Sequence, residues 1–243
     1  MDVVYELQNR VGYYQVDLSH RIRLGFLFQL FQEAAIHHAN QYEIGTRNME
    51  ARGESWILNR VALKLDRYPK LDEELTIQTW ATSLKHFKGF REFRVCSGGE
   101  VIGKISTLWL YISMEKKAFT RLPFEVEETF PTRSDDIYFD NLDRLRLPKP
   151  ASESAATRVT LRYSDIDGNQ HVNNAAFIDI LQAALYHRNL NTRPQEVEIQ
   201  FAREIPPDAG EVEVRLEPRG NEVLFSLGAA GEAAAFGRLG VEK

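Results

Sequence analysis

Apolar residues recur with helical spacing in two stretches of the chain. Across residues 24–42, Leu24, Leu27, Phe28, Phe31, Ala34, Ala35 and His38 repeat at intervals of three, four and seven. Phe26, Leu30 and Ile36 occupy the other side, so the pattern predicts a helix wrapped on most of its faces. A similar stripe in residues 174–191 runs through Phe177, Ile180, Leu181, Ala184 and Leu185, with Asn173 or Asn174 as N-cap and Pro194 beyond the end. After each helix the period drops to two. Leu75, Ile77 and Thr79 alternate with polar partners, as do Val197, Ile199 and Phe201, then Val212, Val214 and Leu216. Such segments predict antiparallel strands with one buried face. Residues 87–97, 101–113, 222–228 and 233–241 complete the strand set, with glycine-rich turns at 97–100 and 228–231.

The pattern is duplicated. Each half opens with a strand and an acidic turn (Asp17-Leu18-Ser19, then Asp165-Ile166-Asp167), and a long helix and at least four strands follow. Phe31-Gln32-Glu33-Ala34 echoes Leu181-Gln182-Ala183-Ala184 at an offset of 150. One long helix and one half-buried antiparallel sheet bury each other when the sheet curls around the helix. Two such units make an α+β double hotdog. The expected division is a first unit over residues 1–130, a linker rich in Pro, Asp and Ser over 131–156, and a second unit over 157–243.

Composition adds limits. Length and a 43% apolar content suit a sizeable core, and a net charge of −5 gives no reason to expect nucleic acid. Residues 1–125 hold 17 Lys and Arg against 15 Asp and Glu, while residues 126–243 hold 13 against 20, so an acidic partner would favour the first half. The lone cysteine, Cys96, allows no intrachain disulfide and no CxxC motif. No signal-like N-terminus and no apolar run of about 20 residues is present, and the expectation is a cytoplasmic protein without a membrane span.

The densest chemistry lies just before the second helix, in Ser164-Asp165-Ile166-Asp167-Gly168-Asn169-Gln170-His171-Val172-Asn173-Asn174. Within five residues it offers a carboxylate, a carboxamide and an imidazole, and a helix start with unpaired N–H groups follows. These groups can hold a carbonyl, stabilise an oxyanion and move a proton. The bland alternative is a capped turn, since Asp, Gly and Asn also favour turns and caps. His37, His38, His86 and His187 have no partner at ligand spacing, and no metal site is expected.

This segment resembles the signature of the plant and bacterial acyl-acyl carrier protein thioesterases. Trp56-Ile57-Leu58-Asn59-Arg60 with Leu65-Asp66-Arg67-Tyr68-Pro69 is similar to that family's first-half strand, and Glu198-Ile199-Gln200-Phe201-Ala202-Arg203-Glu204 to its second catalytic segment. The resemblance covers nearly all of the chain. It implies hydrolysis of fatty acyl-acyl carrier protein to free fatty acid, in fatty acid biosynthesis, with no cofactor, by a catalytic set of Asp167, Asn169, His171 and Glu204. Asp167 or Glu204 would act as nucleophile or general base. Where some members carry a cysteine after the glutamate, this chain has Ile205, which favours a carboxylate mechanism.

Strict alternation from Val197 places Glu204 on the polar face, and a bulge or a strand end would be needed to turn it inward. His20 falls in the first half's counterpart of the catalytic turn. No equivalents of Asn169 and its following histidine are present there, which suggests a silent half that supplies the acyl pocket. Trp56 and Leu58 would line that pocket, with Asn173 and Asn174 at the substrate. Lys85, Lys88, Arg91, Arg94, Lys116, Lys117 and Arg121 are candidates to meet an acidic carrier, although alternation need not point them one way. An acyl-CoA thioesterase and a non-catalytic acyl-thioester binding protein are the rivals. A hotdog hydratase fits less well, because its D-x-N-P-x-H spacing and proline are lacking. Either a monomer or a homodimer is compatible with the duplication.

Overall fold

The computed structural model describes residues 3–42 and 44–240, apart from the side chains of Thr46 and Arg47. The first half contains β1 (Tyr5–Arg10), α1 (Leu24–Asn40), α2 (Thr46–Ala51), β2 (Glu54–Leu65), β3 (Glu74–Lys85), β4 (Lys88–Ser97), β5 (Glu100–Ser113), β6 (Ala118–Phe119) and α3 (Phe124–Thr129). The second contains β7 (Ala156–Thr160), α4 (Asn174–His187), β8 (Glu196–Phe201), β9 (Glu211–Arg219), β10 (Glu222–Ala229) and β11 (Glu232–Gly240). The last strand is expected to reach Val241, which lies outside the described residues.

Among the described residues, all eleven strands belong to one antiparallel sheet in the order β1-β3-β4-β5-β2-β8-β11-β10-β9-β7, with β6 paired to β5. Read inward from either edge, the two halves follow the same order, so the duplication seen in the sequence becomes a two-fold arrangement about the β2–β8 seam. Ala62 faces Glu198 at the middle of that seam. Glu198 also accepts two hydrogen bonds from Arg238 on β11, at 2.6 and 2.7 Å. The expected pairing of two sheets is therefore continuous through backbone hydrogen bonds.

One core buries the apolar faces of α1 and α4 against the sheet. Leu24, Leu27, Phe28, Phe31, Ala34, Ala35 and His38 are all buried, and so is Leu30 from the second side of α1. The helices cross closely at Gly25. Its amide donates to Gln182 Oε1 at 3.2 Å, and a Cβ at this position would collide with the Asp179 carboxylate. This is the double hotdog expected from the periodicity.

Residues 136–143 run over the outer face of β4 and β5, and residues 149–154 continue to β11 and β9, where Lys149 lies over the Phe236 ring and Ala151 N donates to Glu217. Tyr138 N donates to Glu92 Oε2 at 3.2 Å and Phe139 N to Ser106 Oγ at 2.9 Å, so the segment is fastened to buried polar groups on the strands. This corrects part of the basic surface. Arg94 is paired with Asp136 and Lys88 with Asp143, both from the covering segment. Arg91 points the other way, into the interior, because it shares its face of β4 with Phe93, which packs on Phe31 of α1. None of these three is an unpaired surface cation. Lys85, Lys116 and Lys117 make no ion pair among the described residues, and Arg121 lies 3.8 Å from Glu127.

Candidate active site

The loop before α4 is shaped by its own backbone. Ile166 and Val172 form an antiparallel bridge, Asp167 N donates to His171 O at 3.1 Å, and Gln170 takes a positive φ of 63° to close the turn. Asp167 Oδ1 accepts from Asn169 N at 2.9 Å, an Asx turn that fixes the carboxylate. Asn173 then caps α4: its Oδ1 accepts from Ala175 N at 2.8 Å, and its Nδ2 donates to Asp167 Oδ2 at 3.4 Å. One carboxamide thus starts the helix and steadies the acid.

Glu204 reaches the same place from the end of β8. The strand stops at Phe201, where Ala202 N and Arg203 N both donate to Ala234 O, at 2.7 and 3.1 Å. Two amides sharing one carbonyl break the alternation, as a bulge would. Val172 N donates to Ile205 O at 2.9 Å and ties this bend to the loop. His171 consequently lies between two carboxylates. Its Nδ1 is 3.7 Å from Asp167 Oδ1 and its Nε2 is 3.6 Å from Glu204 Oε1. Glu204 is 66% exposed, whereas His171 and Asp167 are 24% and 22% exposed. The polar-face expectation for Glu204 matches its exposure; the strand end supplies the turn that brings it to His171.

These groups open into a cavity of about 680 Å³. Asp167, Asn169, His171, Asn173, Asn174 and Glu204 line it, together with Trp56 and Leu58 from β2 and residues of α1, β4 and β5. All eight expected site residues therefore share one space. Trp56 and Leu58 also pack in the core, so lining and packing are one role here. The Ala175 amide, a candidate oxyanion donor, is already engaged by the Asn173 cap, as the Phe177 amide is by Asn173 O. Ile205 is buried, and Cys96 on β4 is not part of the lining. Among the described residues no cluster of three His, Cys, Asp or Glu side chains is arranged to hold a metal ion.

Asn59 has no role assigned from the sequence. It sits at the register shift between Leu58 and Arg60, lines the cavity, and donates through Nδ2 to Phe201 O at 3.0 Å, bracing the strand end that turns Glu204. An asparagine inside an otherwise apolar strand is the available signal, since this residue type is depleted from strands. Arg91, expected at the surface, also lines the cavity.

The first half contains the same loop with different side chains. Val16 bridges Ile22, Asp17 N donates to Arg21 O at 2.7 Å, Asp17 Oδ1 accepts from Ser19 N at 2.8 Å, and His20 has φ 55°. His20 therefore corresponds to Gln170, while Arg21 stands where His171 does. Ile22 N donates to Pro69 O as Val172 N does to Ile205 O, which puts Tyr68 at the place of Glu204. Tyr68 is buried and donates to Pro194 O at 2.6 Å, and Arg193 lies 3.8 Å from Asp17. The counterpart is filled, with Arg21 rather than an imidazole at the place of His171 and Tyr68 rather than a carboxylate at that of Glu204.

Comparison with known proteins bears on this arrangement. A family model described as the acyl-ACP thioesterase N-terminal domain matches residues 2–130, and one described as the C-terminal domain matches residues 148–228. A chloroplastic palmitoyl-acyl carrier protein thioesterase of Gossypium hirsutum is 24% identical over 195 residues, covering 75% of this chain and 47% of the relative. A chloroplastic oleoyl-acyl carrier protein thioesterase of Arabidopsis thaliana is 23% identical over 231 residues, covering 88% and 63%. The chain spans about half the length of the first of these curated relatives. Among solved structures, an acyl-ACP thioesterase from Bacteroides thetaiotaomicron superposes with a TM-score of 0.86 at 22% identity, covering 98% of both chains. A 12:0-ACP thioesterase from Umbellularia californica does so with 0.83 at 18% identity, covering 99% of this chain and 97% of the other. At these identities the superpositions establish a shared fold.

Proposed function

Since the chain belongs to the acyl-acyl carrier protein thioesterase family, we propose that it hydrolyses the thioester of a fatty acyl group held on a carrier protein and releases the free fatty acid. The observation that carries this reading is the position of His171 between Asp167 and Glu204 at a cavity able to take an aliphatic chain. Water activated by one carboxylate attacks the thioester carbon. A C–O bond forms, the C–S bond breaks, and His171 delivers a proton to the departing thiolate. The carboxamides of Asn169 and Asn173 orient the carbonyl and the acid. In this reading residues 157–243 supply the chemistry, while residues 1–130 supply most of the pocket and residues 131–156 join the two.

The carrier would dock at the cavity rim. Met114 and Phe119 are exposed there and line the cavity, and Lys116 and Lys117 stand on the turn between them. Apolar contact flanked by unpaired cations suits an acidic protein. Lys85 and Arg121 extend the basic side.

The test is kcat/KM for the same acyl group on carrier protein and on coenzyme A. Hydrolysis of the carrier form should be preferred, and replacing both Lys116 and Lys117 with Glu should reduce that preference while leaving the coenzyme A form unaffected. Equal use of both forms by the unmodified protein would favour a coenzyme A thioesterase. Binding without turnover, unaltered by His171→Ala, would favour a non-catalytic acyl-thioester binding protein.

A further inference from the structure

Arg91 is a buried cation without a counter-ion among the described residues. It is 8% exposed, and its Nη1 meets only neutral partners, His38 Nδ1 at 2.9 Å and Thr79 Oγ1 at 3.1 Å. Burial lowers its pKa to about 10, which leaves it charged at neutral pH. Burial, then the neighbouring Arg91 charge, lowers that of His38 to about 3, so His38 is neutral and adds no second charge. His38 Nε2 is itself buried without a partner. An unpaired buried charge is costly unless something polar solvates it. Arg91 lines the same cavity as Asp167, His171 and Glu204.

Its place in the sheet sets the scale. Arg91 pairs with Thr107, Thr107 with Val61, and Val61 with Ile199. Three strand spacings, about 14 Å along the sheet, separate it from β8, the strand whose end carries Glu204. An acyl chain with its thioester at His171 extends toward the first half, and a chain of sufficient length arrives at the guanidinium. Water entering the cavity can hydrate that group. A terminal methyl that displaces this water leaves the charge with nothing in exchange, whereas a carboxylate would pair with it.

The geometry points to Arg91 as the residue that sets the length limit of the acyl cavity: methyl-ended chains are accepted until they reach the guanidinium, and longer ones are accepted only when their far end is anionic. This rests on the proposed thioesterase reading for the orientation of the chain, and it goes beyond it in naming the selecting group and the chemistry it selects.

The experiment compares saturated acyl groups from octanoyl to stearoyl, and their ω-carboxy counterparts, in the unmodified protein, Arg91→Met and Arg91→Lys. Arg91→Met should raise the stearoyl-to-dodecanoyl ratio of kcat/KM by about tenfold or more, a change of the size that a misfitting methylene brings. It should also abolish any preference for the long ω-carboxy chain over its methyl-ended equivalent. Arg91→Lys retains charge and should keep both selectivities. Thermal unfolding establishes that each variant is folded; if Arg91→Met is not, Arg91→Gln replaces it as the neutral variant. Calorimetric binding of the free acids reads the same preferences without turnover. An inactive protein would therefore overturn the enzymatic reading, while the binding profile would still decide for or against Arg91. A folded neutral variant with the unmodified chain-length and ω-carboxy profile would overturn the assignment of Arg91.

Discussion

Asn173 is asked to do two things, and a pair of substitutions separates them. Its Oδ1 caps α4 through Ala175 N at 2.8 Å, and its Nδ2 reaches Asp167 Oδ2 at 3.4 Å. Asn173→Ala removes both contacts. Loss of an N-cap costs about 1 kcal/mol, which for a domain of this size lowers Tm by about 2–4 °C. Asn173→Ser keeps an oxygen able to cap, so its Tm should stay near that of the unmodified protein. Alanine has no group to donate to Asp167, and the serine hydroxyl is one heavy atom shorter than the carboxamide, whose Nδ2 is already 3.4 Å from Oδ2, so neither variant restores that contact. A hydrogen bond to a charged group contributes about 1.5–3 kcal/mol, and at 3.4 Å this one belongs near or below the low end. A differential loss of about 1 kcal/mol is about fivefold in rate. Both variants should therefore hydrolyse acyl carrier substrate about fivefold more slowly, although only the alanine melts earlier. Free fatty acid release under single-turnover conditions and a thermal melt supply the two readouts. If serine restores the rate, Asn173 acts only by starting the helix and the proposed contact with Asp167 carries no catalytic weight.

Other expectations follow from single contacts. Glu204→Gln removes one of the two carboxylates flanking His171 and should lower kcat by about a hundredfold or more if it is the general base; an unchanged rate would leave Asp167 as the only acid in play. Burial raises the Glu92 pKa to about 7, opposed by its hydrogen bonds from Ser106 and Tyr138, with Asp140 raising and Lys104 lowering it further. A carboxyl raised in the fold binds its proton more tightly folded than unfolded, so stability should fall as pH rises from about 4.5 to about 7. Glu92→Gln should flatten that slope in melts taken across the window. Tyr68→Phe leaves Pro194 O without its donor and should destabilise by about 1–3 kcal/mol, with no effect on kcat, because Tyr68 is not among the residues lining the cavity beside His171.

The loop before α4 is legible because most of what shapes it is local: the Asx turn, the positive φ and the cap all fall within residues 166–175. The long helices were legible for the same reason, since each carries several turns of a repeating stripe. Glu204 was harder to place. Its orientation depends on Ala202 and Arg203 both bonding to Ala234, a contact between distant segments that alternation does not encode. The inward direction of Arg91 is not legible because period two says only that neighbours face opposite ways, and the choice of inner face needs the packing of Phe93 on Phe31. The helices α2 and α3, six residues each, are too short to show a period. The β2–β8 seam joins strands far apart in sequence, so it became visible only as pairing.

Tyr68 in the position of Glu204 has a consequence for stoichiometry. A two-fold arrangement of like units would ordinarily present two equivalent mouths, and occupancy of one could influence the other. In this chain a buried phenol occupies the place equivalent to Glu204, anchored on Pro194 O. On the proposed reading the cavity beside His171 takes one acyl group per chain, and saturation should be simple and hyperbolic. If the proposed reaction holds, the first half could vary its interior side chains, and with them the range of chains admitted, without disturbing Asp167, His171 and Glu204 across the seam.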